Sequence, residues 1–300
     1  ALKLTVSKLT VSKLSVVKLS VVKLALLKIQ GGLSYSLYVP LLPLLPVILR
    51  QGKSVKAKTI RLPEASGPRD SEGINLAAVD STSALDSTSA LDSKPSLNLT
   101  TSINKKSLLH VGESTVAGVG VVDFQQGLTA HVIRYLTATD SPWTWQAMGQ
   151  NGATIAELNK QLKTKVLKND PSVILLTMGV NDTTAMTRRG SWVKNLKHCI
   201  DAIEQRRLNI ESEGAPVNVC FTQVPPMHLF PALPFPLNLF LGLRAWQLDN
   251  SLRQLCVQQD WTHLKIEMPL EKEWMAKDGY HPNAEGYKRW AEKIAALLRP

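Results

Sequence analysis

Residues 105–300 predict a three-layer α/β/α domain around a parallel sheet, and three observations lead there. Short apolar runs of strand length alternate with longer segments of helical period, the pattern of repeated βαβ units. Three of the runs end at a glycine that opens a short loop: Gly112-Glu113-Ser114, Gly149-Gln150-Asn151-Gly152 and Gly179-Val180-Asn181-Asp182. The chain of 300 residues is 44% hydrophobic, which is ample for a globular core.

Strands are expected at 107–111, 143–148, 173–178, 217–222 and 262–266, making a sheet of five. Between them, Ile155, Leu158, Leu162 and Val166 recur at helical spacing and mark the buried face of one helix. Val193, Leu196, Ile200 and Ile203 do the same in the next. The last helix opens at Asn283, whose side-chain oxygen can accept from a free backbone N–H, and is expected to bury Tyr287, Trp290, Ile294 and Leu297.

Two segments of different texture precede this domain. Residues 1–62 hold nine Lys and two Arg without an acidic residue, so 24 basic and 24 acidic residues remain and the rest of the chain is formally neutral. Within 3–28 a five-residue unit headed by Lys-Leu repeats, and period five keeps lysine on no single face of a helix or a strand. Residues 29–49 carry no charge and are close to the ~20 residues a spanning helix needs. Gly31, Gly32, Pro40, Pro43 and Pro46 interrupt them. If the segment spans, Arg50, Lys53, Lys56, Lys58 and Arg61 hold its C-terminal flank, and the domain behind it, in the cytoplasm. Contact with an anionic membrane surface through 1–62 is the alternative expectation. A cleaved signal peptide fits less well, because no small-residue cleavage pattern follows the apolar run. Residues 63–104, rich in Pro, Ser, Asp and Gly and repeating Asp-Ser-Thr-Ser-Ala-Leu from Asp80, read as a linker.

The neutral body argues against nucleic-acid binding, which needs clustered cations. Cys199, Cys220 and Cys256 lie far apart and suggest neither a disulfide framework nor a zinc site, and no residue cluster has metal-ligand spacing. Gly52-Lys53-Ser54 resembles the end of a P-loop, but Val47 stands where that motif needs Gly and no strand precedes it.

In open α/β sheets the ligand crevice lies beyond the carboxyl ends of the strands. Those positions here supply the hydroxyl of Ser114, the backbone of Gly152, the amide of Asn181 and, before the last helix, the pair Asp278 and His281. Acyl transfer requires this inventory: a nucleophile, a base to take its proton, an acid to orient the base, and donors for the developing oxyanion. Ser114 alone would read as a helix cap or turn serine, Gly152 as a turn glycine and Asn181 as a loop cap. Their joint placement at strand ends favours chemistry.

The four blocks resemble those of the SGNH, or GDSL-type, hydrolases, a superfamily of esterases and lipases, over roughly residues 105–300. The resemblance implies a flavodoxin-like fold, Ser114 as nucleophile, His281 as base and Asp278 as its orienting acid. It also implies an oxyanion hole from the Ser114 and Gly152 N–H groups and the Asn181 side chain, with no metal or cofactor. Glu113 departs from the family's usual Asp and adds a methylene beside the serine. Position 116 is Val, so this is not the G-x-S-x-G elbow of α/β-hydrolases.

Among other histidines, His228 follows the fourth strand and reads as a pocket-rim residue, whereas His110, His131 and His198 suit structural or solvated roles. The apolar, proline-rich stretch 225–243 is either a core-packed loop or an acyl-chain pocket, with Met227, His228, Phe230, Leu233 and Phe235 as its candidates. The expected function is cleavage of a small-molecule or lipid ester through an acyl-enzyme on Ser114. Acyl transfer by the same site is one alternative, and a membrane-associated binding module whose serine Glu113 misplaces is another.

Overall fold

The protein is described by a computed structural model covering residues 36–71, 106–138, 142–208, 210 and 216–299. Five apolar runs form β1 (Ser107–Gly112), β2 (Thr144–Gly149), β3 (Val173–Thr177), β4 (Asn218–Thr222) and β5 (Thr262–Leu264). All pair in parallel, in the order β2-β1-β3-β4-β5. This is the flavodoxin-like order, in which the chain leaves β1 toward one edge and returns at β3 on its other side. Gly112 pairs with both Gly149 and Thr177, so three strands end level at that switch point.

Seven helices are described: α1 (Leu45–Lys58), α2 (Leu128–Thr137), α3 (Ile155–Leu162), α4 (Val180–Thr184), α5 (Arg189–Arg207), α6 (Leu237–Gln259) and α7 (Ala284–Leu298). β1 and β3 are buried along their whole length, as strands covered on both faces must be. One helical layer pairs α2 with α7, and the other packs α5 between α3 and α6. Asn283 caps α7 by accepting from the Gly286 N–H at 3.0 Å, as its residue type predicts.

Two core assignments differ from expectation. Val166 is exposed because α3 ends at Leu162, so nothing carries the helical period on to it. Leu298 rather than Leu297 is buried, because Leu298 falls in the middle of the stripe through Tyr287, Ala291, Ile294 and Ala295, whereas Leu297, about 100° around from it, lies just outside the stripe's edge at Trp290.

Larger differences lie ahead of the domain. Residues 63–71 do not behave as a linker. Ala65 is buried, Ser66 exchanges backbone hydrogen bonds with Val122 and Phe124, and Ala147 N–H donates to the Arg69 carbonyl at 2.7 Å. The strap thereby covers the outer edge of β2, satisfying backbone groups an edge strand leaves open. Upstream, Val39–Leu44 form a 3-10 turn leading into α1, and Leu41 and Ile48 pack into the core. The uncharged stretch 29–49 lies outside the described residues up to position 35, and its remainder forms this turn and the first part of α1. Among the described residues no helix is long and apolar enough to cross a membrane. The five-residue repeat, the Asp-Ser-Thr-Ser-Ala-Leu repeat and most of the expected linker also lie outside the described residues.

Candidate active site

The loop after β1 crosses the level ends of three strands, which requires close backbone approach. A Cβ on Gly112 would stand 2.2 Å from the Thr177 carbonyl oxygen, so only glycine fits there. The chain then turns at once, with the Val116 and Ala117 N–H groups both donating to the Glu113 carbonyl at 3.0 Å. Ser114 sits in this turn rather than at a helix start, since α2 begins only at Leu128. Tyr287 of α7 donates its hydroxyl to the Val119 carbonyl at 2.5 Å and ties the loop to the last helix.

Asp278 and His281 come from the turn that leads into α7. Asp278 Oδ1 accepts the backbone N–H groups of Tyr280 and His281 at 2.9 and 3.1 Å, and Oδ2 faces His281 Nδ1 at 2.6 Å. On the other side of the ring, Nε2 lies 2.8 Å from Ser114 Oγ. Burial pushes the Asp278 carboxyl up, but the hydrogen bond and charge of His281 and the two N–H donors outweigh it and hold the group below the usual carboxylate range. An ionised Asp278 can only accept, which puts the imidazole proton on Nδ1 and leaves Nε2 to accept from the serine hydroxyl. A hydroxyl so held can be deprotonated as it attacks an electrophile.

Glu113 turns away from the serine and under the neighbouring loop. Its side chain accepts the N–H groups of Val180 and Asn181, the first turn of α4, at 2.9 and 3.0 Å, and the Asn181 Nδ2 amide at 2.7 Å. Burial raises its carboxyl to about 7, against the pull of the Asn181 and Val180 backbone donors, with Asp182 adding a smaller upward push. The added methylene therefore leaves the Ser114 hydroxyl within hydrogen-bonding distance of His281.

Asn181 Nδ2 also donates to the Ala153 carbonyl at 3.2 Å, so both of its amide hydrogens have acceptors within the protein. Gly152 adopts φ +76° with open space where a Cβ would be, so backbone conformation rather than crowding favours glycine. Its N–H and that of Ser114 have no hydrogen-bond acceptor among the described residues. The strap holds the Gly152 loop: Glu64 Oε1 accepts the Asn151 N–H at 2.7 Å, and Asn151 Nδ2 donates to the Leu62 carbonyl at 3.2 Å.

Ser114, Gly152, Asn181, Asp278 and His281 all line one cavity of about 940 Å³. Of the expected pocket residues, Met227, Phe230 and Leu233 line it as well. His228 and Phe235 do not: both are exposed, and a short 3-10 turn, Met227–Leu229, buries Met227 while turning His228 outward. The opposite wall, which no sequence motif marks, is built by α1 and the residues after it, including Ile48, Leu49, Val55, Thr59 and Ile60. The available signal was the recurrence of Leu41, Ile48 and Val55 every seven residues, one face of a helix.

The remaining histidines stand apart from the cavity. His110 is fully buried between the Thr129 and Thr177 hydroxyls at 2.9 and 3.0 Å, and burial lowers it to about 3. His263 faces Asp249 at 2.9 Å, a second His–Asp pair, but neither residue lines the cavity.

Comparison with known proteins agrees with this architecture. The chain matches the model of the GDSL-like lipase/acylhydrolase family over residues 110–289. Sequence comparison with the curated proteins finds no match. Among solved structures it is similar to TesA, at 18% identity over 65% of this chain and 99% of that one, with a TM-score of 0.52. It is also similar to the psychrotrophic esterase EstA from Pseudoalteromonas sp., in a structure inhibited by monoethylphosphonate, at 14% identity over 64% and 96% of the two chains and a TM-score of 0.51. At such identities the two likenesses establish the fold, while the family match spans well over half the chain and carries the assignment. The protein belongs to the GDSL-like lipase/acylhydrolase family and is a carboxylic ester hydrolase.

Proposed function

We propose that the protein cleaves carboxylic esters through an acyl-enzyme on Ser114, and one observation carries the reading. The hydrogen-bonded series Ser114 Oγ, His281 Nε2, His281 Nδ1, Asp278 Oδ2, at 2.8 and 2.6 Å, opens onto the cavity that also holds Gly152 and Asn181. As Ser114 Oγ bonds to the ester carbonyl carbon, its proton passes to His281 Nε2 and the carbonyl oxygen gains negative charge. Asp278 stabilises the resulting imidazolium and keeps the ring oriented. Collapse of this intermediate breaks the bond to the alkoxy oxygen, which leaves with the proton from His281. Water then attacks the acyl-serine, His281 takes its proton, and return of that proton to Oγ releases the acid.

The Ser114 and Gly152 N–H groups, without acceptors among the described residues, are suited to receive the oxyanion. Asn181 contributes if its weaker bond, to the Ala153 carbonyl, gives way. The apolar wall formed by Ile48, Met227, Phe230, Leu233, Phe240 and Leu241 suits an acyl chain.

Ser114→Ala tests the mechanism. Hydrolysis of a short p-nitrophenyl ester should fall to background while the circular dichroism spectrum is unchanged, and a fluorophosphonate probe should label wild-type Ser114 alone. Wild-type turnover in the variant would overturn the assignment.

A further inference from the structure

The acyl-suited cavity is continuous with an exposed apolar surface that a hydrolase of soluble esters does not require. Leu49 and Ile60 line the cavity and are at the same time 59% and 58% exposed, so apolar surface runs from its interior to the outside. Around them the turn and helix α1 expose Val39, Leu42, Leu45 and Val47. From the facing segment come exposed Phe235 and Leu239. The two segments form one surface: Gln51 of α1 donates to the Phe235 carbonyl at 2.8 Å and accepts the Leu237 N–H at 3.2 Å, and the Tyr38 and Phe240 rings meet edge to face at 5.3 Å.

The charge carried by residues 36–61 has a single sign. Arg50, Lys53, Lys56, Lys58 and Arg61 are exposed, and none forms an ion pair among the described residues. No acidic residue occurs before Glu64. The described chain begins at Ser36, directly ahead of the patch, and the 35 residues before it carry six lysines. Exposed aliphatic side chains beside cations that pair with no acid among the described residues, bordering the mouth of an apolar cavity, match a surface that presents negative charge over hydrocarbon.

We propose that the face formed by residues 37–61 and the 235–239 segment docks on an anionic phospholipid bilayer. The aliphatic groups enter the headgroup region while Arg50 and Lys58 lie against lipid phosphates, and the cavity mouth at Leu49 and Ile60 faces the lipid. Esters with an acyl chain then pass from bilayer to cavity without crossing water. This use of the face rests on the ester-cleavage reading, but docking itself does not involve Ser114.

The test is co-sedimentation of the full chain with vesicles of phosphatidylcholine alone and of phosphatidylcholine with about 30% phosphatidylglycerol, whose anionic headgroups supply a negative surface potential, in low and high salt. Wild type and Ser114→Ala should both bind the anionic vesicles, more weakly in high salt, and bind the neutral ones poorly. Arg50→Glu/Lys58→Glu and Leu42→Ser/Val47→Ser/Leu239→Ser should each lower partitioning at least about tenfold. Neither set lines the cavity, so p-nitrophenyl acetate hydrolysis should be retained, which also shows that the variants fold. Failure of wild type to bind, or wild-type binding by both variants, overturns the proposal. So does a vesicle-independent dimer that the same substitutions dissociate, since a second copy would then be the occupant. Inactive wild type that still binds anionic vesicles would instead count against the catalytic reading alone.

Discussion

Glu113 Oε2 accepts the side-chain amide of Asn181 at 2.7 Å, while the two carboxylate oxygens together accept the Val180 and Asn181 backbone N–H groups. The residue beside the serine is thus a clamp on the first turn of α4. It neutralises donors that a helix start leaves open, and it sets where the Asn181 side chain points. Because the Asn181 amide also reaches the Ala153 carbonyl, the loops after β1, β2 and β3 meet at this one group.

Glu113→Gln replaces one acceptor oxygen by an NH2 that must face an N–H donor. Leaving a buried donor unmatched costs about 1–3 kcal/mol, and the displaced Asn181 should lower kcat by about tenfold or more with little change in KM. Glu113→Asp, which keeps the charge, should retain more activity than Glu113→Gln. Steady-state kinetics on a short p-nitrophenyl ester would show this, and a Gln variant with wild-type kcat would contradict it.

The same group makes stability depend on pH. Its carboxyl is raised to about 7 in the folded protein and titrates near the ordinary glutamate value of 4.5 when unfolded. Between those values the folded state holds the proton more tightly, so the contribution is fully present below about pH 4.5 and is lost as pH rises toward 7. The unfolding free energy of wild type relative to Glu113→Gln should therefore fall across that window by up to about 3 kcal/mol. Denaturant melts at pH 4.5 and 7.5 provide the comparison, and a difference independent of pH would remove the group from the titration.

His110 acts in the opposite sense. Burial lowers it to about 3, so below about pH 6.5 the unfolded chain takes up a proton that the folded protein refuses. Stability should fall with acidification through this window, by about 2 kcal/mol at pH 5. In His110→Asn that slope should be absent, although the variant should start less stable because the Thr129 and Thr177 hydroxyls lose their common partner.

Gln51 joins α1 to the segment opposite it through two hydrogen bonds. Gln51→Ala should loosen that wall of the cavity and raise KM for a dodecanoyl ester about fivefold, roughly the worth of one net hydrogen bond, while leaving an acetyl ester unaffected. Equal KM changes for both chain lengths would mean that the wall does not hold the acyl chain.

The local sequence was most informative where periodicity and position act together. Five apolar runs became five strands, and the residues just beyond their ends, Ser114, Gly152 and Asn181, met Asp278 and His281 in one cavity because a parallel sheet delivers every strand end to the same edge. Helix faces were legible only where the helix continues and near the centre of its stripe: Val166 lies beyond the end of α3, and Leu297 lies at the edge of the buried face of α7.

By itself the sequence determined the order of the strands along the chain, the type of sheet, the residues gathered at its carboxyl edge and the neutrality of the domain that carries them. Only the tertiary structure decided what Glu113 does, since a carboxylate's role depends on which N–H groups surround it, and here those belong to a loop 67 residues away. The same holds for residues 36–71: their prolines, cations and small polar residues read as an anchor and a linker, yet Leu41, Ile48 and Ala65 are buried. Their burial depends on apolar surface supplied by α6 and the β1 loop, which no local pattern in those residues records.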